Sequence, residues 1–327
     1  GYVDDRGGSD SASVRVVGLT KSFIGASSKR RGRRKDYALN RCCLEMRKDE
    51  LTVLMGQNGA GKTTLISCLT GTLKADSGSA VVLGCDALDP TGVQALRASV
   101  GICPQEDALF EGFTPREMLT FYARLKQVPN TECEECVESM LSEMGLLEAP
   151  QSGDDQDNER SQKKDPRRPA DMCVDELSGG QMRRVSIGIA LIGNSKFVVL
   201  DEPTSAMDPV GKHQVWSLLR RMRADRTILL TTHLMDEADA VADRVAIMAK
   251  GQVYCSGSPG FLKRNLGSGY SLTLARHQTK SNDEKDQPKS SDEMHSITTW
   301  VTDKIGSSSG SEESSITQVR NASDSVC

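Results

Sequence analysis

No apolar run in these 327 residues approaches the ~18 needed to cross a bilayer as a helix, and no signal peptide opens the chain. Basic charge is not in excess either. Lys and Arg number 41 against 45 Asp and Glu, a net charge of −4, which argues against a nucleic-acid surface. Paired cysteine spacings are also missing. Among ten cysteines, Cys133-Glu134-Glu135-Cys136 is a C-x-x-C with no second Cys or His pair beside it. Cys136, Met140, Met144 and Leu147 around it have helical spacing, so reduced thiols are expected rather than disulfides or a zinc site. The chain opens on Gly1 rather than Met, which predicts a piece of something longer with any membrane part outside it.

Hydrophobic residues make up 37%, enough for a core only if the polar residues cluster, and they do. Residues 1–13 read as a flexible end, and 27–35 as a strongly basic, solvated hairpin loop or a contact for an anionic surface. Residues 150–171, an acidic block followed by a basic one, read as a disordered insertion, and 276–327 as a polar linker or tail. Between them apolar runs predict strands at 14–17, 51–55, 100–103, 197–200 and 227–231, and a hairpin over 245–248 and 252–255 turning at Lys250-Gly251. Helices are expected at 64–73, 114–126, 132–147, 177–192, 211–223 and 235–242. This alternation predicts an α/β domain over 14–275 with a mainly parallel sheet, interrupted by a helical subdomain at about 114–192.

Gly56-Gln57-Asn58-Gly59-Ala60-Gly61-Lys62-Thr63 fits G-x-x-x-x-G-K-[ST] between a predicted strand and a predicted helix. Glycines let backbone N–H groups turn in around phosphate oxygens, and the helix start adds the positive end of its dipole. Lys62 reaches β and γ phosphates, and the Thr63 hydroxyl suits Mg²⁺. The strand ending in Leu200-Asp201-Glu202 supplies Asp201 to hold the metal, directly or through water, and Glu202 to polarise the attacking water as general base.

Leu177-Ser178-Gly179-Gly180-Gln181 opens a helix about twenty residues before that strand and resembles the signature motif of ABC ATPases. A plain N-cap explains Ser178 but not Gly179, Gly180 and Gln181 together. The other motifs of that family follow in order. Gln105 resembles the Q-loop glutamine, implied to contact Mg²⁺ or water and to sense membrane domains. Ser205-Ala206-Met207-Asp208 resembles the D-loop, which places Asp208 near nucleotide, and His233 resembles the switch histidine on the γ-phosphate. Phe23 stands where the family has an aromatic stacked on adenine, with Tyr37 as its rival across the basic segment. The resemblance implies an ATP and Mg²⁺ site made of Gly56, Asn58, Gly59, Ala60, Gly61, Lys62, Thr63 and Thr64, faced by a second ABC domain's signature motif.

The resemblance covers residues 14–275 and implies a P-loop NTPase fold of ABC type, with a mainly parallel sheet core, an antiparallel β part and a helical subdomain. Phe121 to Lys126, Met235 to Asp239, and Phe261 to Lys263 with Gly267 to Leu274 are similar to subfamily A, the lipid-moving full transporters, although there Met often precedes Gln in the signature. It implies ATP hydrolysis on the cytosolic face of a membrane, coupled to movement of a lipid or other amphiphile by transmembrane domains of the same parent chain. ATPases of drug or polysaccharide exporters are the alternative. Soluble ABC proteins of translation or chromosome maintenance fit less well, given the near-neutral charge and the compact spacing of the motifs. Intact Lys62, Asp201, Glu202 and His233 argue against a catalytically dead regulator.

Overall fold

The structure is a computed structural model describing residues 2–3, 12–23, 36–147, 168–205 and 207–266, all in the first unit of the chain, Gly1–Ser268. It opens with strands β1 (Tyr2–Val3), β2 (Ala12–Phe23), β3 (Asp36–Arg47) and β4 (Leu51–Met55), then helix α1 (Lys62–Leu69). Next come β5 (Ser77–Val82), β6 (Cys85–Asp86), α2 (Pro90–Leu96) and β7 (Val100–Cys103). A helical block follows: α3 (Pro115–Leu125), α4 (Asn130–Glu143), short 3-10 turns at Pro169–Asp171 and Val174–Glu176, and α5 (Gly179–Leu191). Strands and helices then alternate as β8 (Phe197–Asp201), α6 (Pro209–Met222), β9 (Thr227–Thr232), α7 (Met235–Val241), β10 (Arg244–Ala249), β11 (Gln252–Gly257) and α8 (Pro259–Leu266).

Strands covered on both faces read as unbroken apolar runs. β8 and β9 are buried throughout and β4 through its first four residues, and they sit at the middle of a seven-stranded sheet ordered β1-β11-β10-β4-β9-β8-β7. From β10 to β7 the neighbours run parallel. β11 returns antiparallel beside β10 through Lys250-Gly251, both with positive φ (46° and 75°), the backbone a two-residue hairpin requires. Because side chains alternate across a strand, this one sheet feeds two cores. Val53, Val198, Leu200, Ile228 and Leu230 pack with the helical block. Leu54, Phe197, Val199 and Leu229 pack with α1 and an antiparallel sheet ordered β3-β2-β5-β6.

The helical block has clear local causes. Thr114 and Glu117 form a reciprocal capping box at the start of α3. α5 lies tight on β7, because a Cβ on Gly101 would stand 1.8 Å from the Ala190 carbonyl oxygen. α5 stops at Gly193-Asn194, both left-handed (φ 71° and 58°), and half-buried Lys126 donates its Nζ to the carbonyls of Ile189, Ala190 and Ile192 and to Ser195 Oγ.

Several boundaries depart from the sequence reading. α1 starts at Lys62 and ends at Leu69, ahead of left-handed Gly71 (φ 69°). α4 ends at Glu143, ahead of Gly145 (φ 63°). The expected flexible end, 1–13, contributes Tyr2–Val3, paired parallel with β11, and the first two residues of β2. The expected insertion, 150–171, ends inside the core: Ala170 is fully buried and its N–H donates to the Leu146 carbonyl at 3.0 Å. A polar run had hidden the apolar Pro169-Ala170 pair. The rest of that insertion, the basic segment 27–35, and the stretch from 267 through the tail lie outside the described residues. The basic segment falls in the connection between β2 and β3, which pair antiparallel from Phe23↔Asp36. No helix among the described residues is long and apolar enough to cross a membrane.

Candidate active site: a phosphate cavity between two strand ends

β4 ends at Met55 and the chain turns through residues 56–61 into α1. Gly61 has φ 108°, and a Cβ there would stand 2.4 Å from the Ala38 carbonyl oxygen, so only glycine lets this turn lie against β3. The turn is braced from behind, where Gly251 N–H donates to the Ala60 carbonyl and Asn40 N–H to the Gly251 carbonyl, both at 2.9 Å.

In front of the turn lies a cavity of about 380 Å³. It is lined by Asn58, Gly59, Gly61, Lys62, Thr63 and Thr64, by Gln105 after β7, and by Asp201 and Glu202 at the end of β8. Lys62 is buried, and its Nζ donates to the carbonyls of Gly56 (2.7 Å) and Gln57 (3.3 Å) and lies 3.9 Å from Glu202 Oε1. Thr63 Oγ1 donates to Asp201 Oδ2 at 3.3 Å. Thr231, beside Asp201 in the β8–β9 register, donates its hydroxyl to Asp201 Oδ1 and accepts the Glu202 N–H at 3.1 Å. Glu202 takes a left-handed φ of 47°, which turns its carboxylate out of the strand to within 3.4 Å of His233 Nδ1. A carboxylate, an alcohol and an amide in one cavity offer the oxygen donors that a hard divalent cation takes. A lysine at a helix start offers the charge that phosphate takes.

Other expected site residues sit elsewhere. Gly56 and Ala60 shape the turn without lining the cavity. Ser178 caps α5: its Oγ accepts the Gln181 N–H (3.3 Å) while Gln181 Oε1 accepts the Ser178 N–H (2.9 Å), with Gly179 and Gly180 between them. Asp208 caps α6 by accepting the Gly211 N–H at 3.1 Å. Phe23 is half-exposed at the end of β2 with Lys21 Nζ 5.7 Å from its ring centre, and the register Ser22↔Tyr37 puts its rival on the neighbouring strand. None of these residues lines the phosphate cavity.

Three residues here were not anticipated. Ala38, next to Tyr37, lines the cavity. Thr231 is one of three threonines in β9, with Thr227 and Thr232, and only its register opposite Asp201 singles it out. Arg183 is buried behind the site and is hydrogen-bonded to the carbonyls of Asp201, Glu202 and Pro203. Nothing in the spacing of Arg183 marks it out from Arg184 beside it.

Residues 39–205 match the family model for ABC transporters. Among curated relatives, the human phospholipid-transporting ATPase ABCA3 is 43% identical over 265 residues, 81% of this chain and 14% of that protein. The human retinal-specific phospholipid-transporting ATPase ABCA4 is 42% identical over 239 residues, 73% of this chain and 10% of that protein. The chain therefore spans about a seventh or less of the length of these relatives. Solved structures include the dimeric bacterial ABC transporter cassette MJ0796, with a TM-score of 0.61, 21% identity, and coverage of 75% of this chain and 98% of that one. CbiO1 of Clostridium perfringens, part of the transporter complex cbiONQ, gives a TM-score of 0.63 at 26% identity, covering 79% of this chain and 93% of that one. Fold, phosphate cavity and likeness agree, and the chain belongs to the ABC transporter family, as an ATP-binding domain similar to those of subfamily A.

Proposed function

We propose that this chain is the ATP-hydrolysing domain of a membrane transporter that moves a lipid or another amphiphile. The observation that carries the reading is the gathering of Lys62, Thr63, Gln105, Asp201 and Glu202 in one cavity. Lys62 exchanges its bonds to the Gly56 and Gln57 carbonyls for β and γ phosphate oxygens, and the turn from 56 to 61 cradles the phosphate chain. Thr63, Asp201 and Gln105 would hold Mg²⁺, which when bound neutralises phosphate charge. Glu202 takes a proton from the attacking water, and His233 orients the γ-phosphate side of the site. Phe23 stacks on adenine at the end of β2.

Ser178 to Gln181 open a different helix and do not line the cavity. We infer that they complete the nucleotide site of a second ABC domain, an ATP-sandwiched pair excluding water from both γ-phosphates. Coupling to a membrane part is supported by the aromatic surface just after Gln105. Phe110, Phe113 and Phe121 are each nearly half-exposed, Phe110 stacks on Tyr122, and Leu125 on the same helix is exposed. We infer that transmembrane domains of the parent chain dock there, with this domain on the cytosolic face of its membrane. The lipid cargo rests on likeness to the phospholipid-transporting ATPases, of which this chain matches about a seventh or less.

Glu202→Gln tests the reading. It keeps the shape and hydrogen bonds of the site but removes the base, so ATP binds and a dimer accumulates in sedimentation with saturating MgATP. Ser178→Arg spares ATP binding and blocks hydrolysis at the partner's nucleotide. Full turnover by a strictly monomeric chain would refute the composite site.

A further inference from the structure

Arg183 lies on the second turn of α5, the helix opened by Ser178, and is 4% exposed. Its guanidinium makes six hydrogen bonds. Nη2 donates to the carbonyls of Asp201 (2.8 Å) and Glu202 (3.0 Å), and Nε to that of Pro203 (2.9 Å). On its other edge Nη1 donates to the carbonyls of Pro104 (2.6 Å) and Gln105 (3.2 Å) and to Asp107 Oδ1 (2.9 Å). Three consecutive carbonyls at the end of β8 thus converge on one planar cation, and the segment carrying Gln105 closes on its far side.

This arrangement answers a question left by Glu202. A non-glycine residue at φ 47° sits in the disfavoured left-handed region and must be held there. Its N–H is fixed by the backbone carbonyl and hydroxyl of Thr231 on β9. Its carbonyl is fixed by Arg183. With both ends of the residue pinned, the Cα–Cβ bond has one direction in which to leave the backbone, and the carboxylate lies towards Lys62 and His233. Only a fork of five donors can serve both rows of acceptors at once, and a lysine ammonium has three donors and no plane. We propose that Arg183 is a positioning residue that sets the aim of the Glu202 carboxylate and makes that aim depend on where the Gln105 segment sits. A displacement of Pro104 to Asp107 takes acceptors away from Nη1, the guanidinium shifts, and the Glu202 carbonyl follows. Movement on the membrane-facing side of the site reaches the base through one side chain of the signature helix.

The proposal rests on the reading of Glu202 as general base, and the experiment separates the two. The full 327-residue chain and its variants Arg183→Lys, Asp107→Asn and Glu202→Gln are compared by single-turnover hydrolysis at saturating MgATP, by titration with a fluorescent ATP analogue, and by thermal unfolding. Arg183→Lys lowers the hydrolysis rate about tenfold or more while nucleotide Kd stays within about threefold, because aim is lost and binding is not. Asp107→Asn keeps the fork, weakens its far side and gives a smaller loss in rate with the same unchanged Kd. A folded Arg183→Lys that turns over within about twofold of the parent, or that loses rate and affinity equally, overturns the proposal. If Arg183→Lys does not fold, Asp107→Asn decides, and an unchanged rate there overturns it. Glu202→Gln that still hydrolyses brings down the general-base reading instead, whereas its loss of activity beside an active Arg183→Lys defeats the positioning role alone.

Discussion

Lys62 donates to two carbonyls of its own turn, donors that on the proposed reading a phosphate chain takes over. Lys62→Ala therefore removes the charge that faces the phosphates. The expected result is loss of hydrolysis and nucleotide affinity lower by about tenfold or more, read by titration with and without Mg²⁺. Unchanged turnover would sink the assignment of the cavity. Thr231→Val removes a fully buried hydroxyl that serves both Asp201 and Glu202. It is expected to cost about 1–3 kcal/mol in chemical denaturation, because Asp201 Oδ1 loses its donor without gaining water. At this scale the sequence was legible where a chemical group comes with fixed neighbours, as Lys62, Thr63, Asp201 and Glu202 do. Arg183 and Ala38 were illegible because their parts come from distant contacts. Arg183 meets Pro104 across 79 positions, and no local pattern encodes that meeting.

The elements show a similar division. β4, β8 and β9 were found because buried parallel strands are short apolar runs between turns, and the edge strand β7 was found as the short run Val100–Cys103. β3 and β5, on the antiparallel sheet, were missed. β3 keeps one face exposed and its alternation is blurred by Asn40-Arg41 and Cys42-Cys43, while β5 opens on three exposed residues, Ser77, Gly78 and Ser79. α5 depends on two long-range details. Gly101→Ala forces its Cβ into the Ala190 carbonyl, so α5 must lift from β7, and a loss of about 1–3 kcal/mol is expected in thermal or denaturant unfolding. Lys126→Met leaves three carbonyls at the end of α5 without their donor, again a loss of about 1–3 kcal/mol. Burial pushes the Lys126 ammonium down to about 8, below the value of an unfolded lysine. Between those two values the unfolded chain binds more protons than the folded one, so this residue's contribution to stability rises as pH rises. The gap in melting temperature between the parent and Lys126→Met should widen from pH ~8 to pH ~10. A constant or narrowing gap would refute this.

On the scale of the whole molecule, one sheet divides two cores, and the site lies where parts of both meet: Ala38 from one side, Gln105 from the other. Of the polar insertion, the described residues begin at Arg168, and Ala170 is buried in the core. Replacing 150–167 by a short Gly-Ser loop should leave melting temperature and hydrolysis nearly unchanged. Extending the replacement through Asp171 should lower the melting temperature, since it deletes buried Ala170 and the Asp171 carboxylate that accepts from Arg116. A large drop with the shorter replacement would show that residues before Arg168 pack on the domain. The bracing of the phosphate turn by β3 and the β10–β11 hairpin has its own consequence. A loop already shaped before nucleotide arrives gives up little conformational freedom on binding, so association proceeds near the pace of encounter and affinity is decided by escape. In amide hydrogen exchange without nucleotide, the Gly251 N–H that donates to the Ala60 carbonyl should already exchange slowly. Gly251→Ala, with φ 75° and a Cβ 2.7 Å from the Ala38 carbonyl oxygen, should loosen the brace, slow capture of ATP and leave the chemistry of captured nucleotide intact.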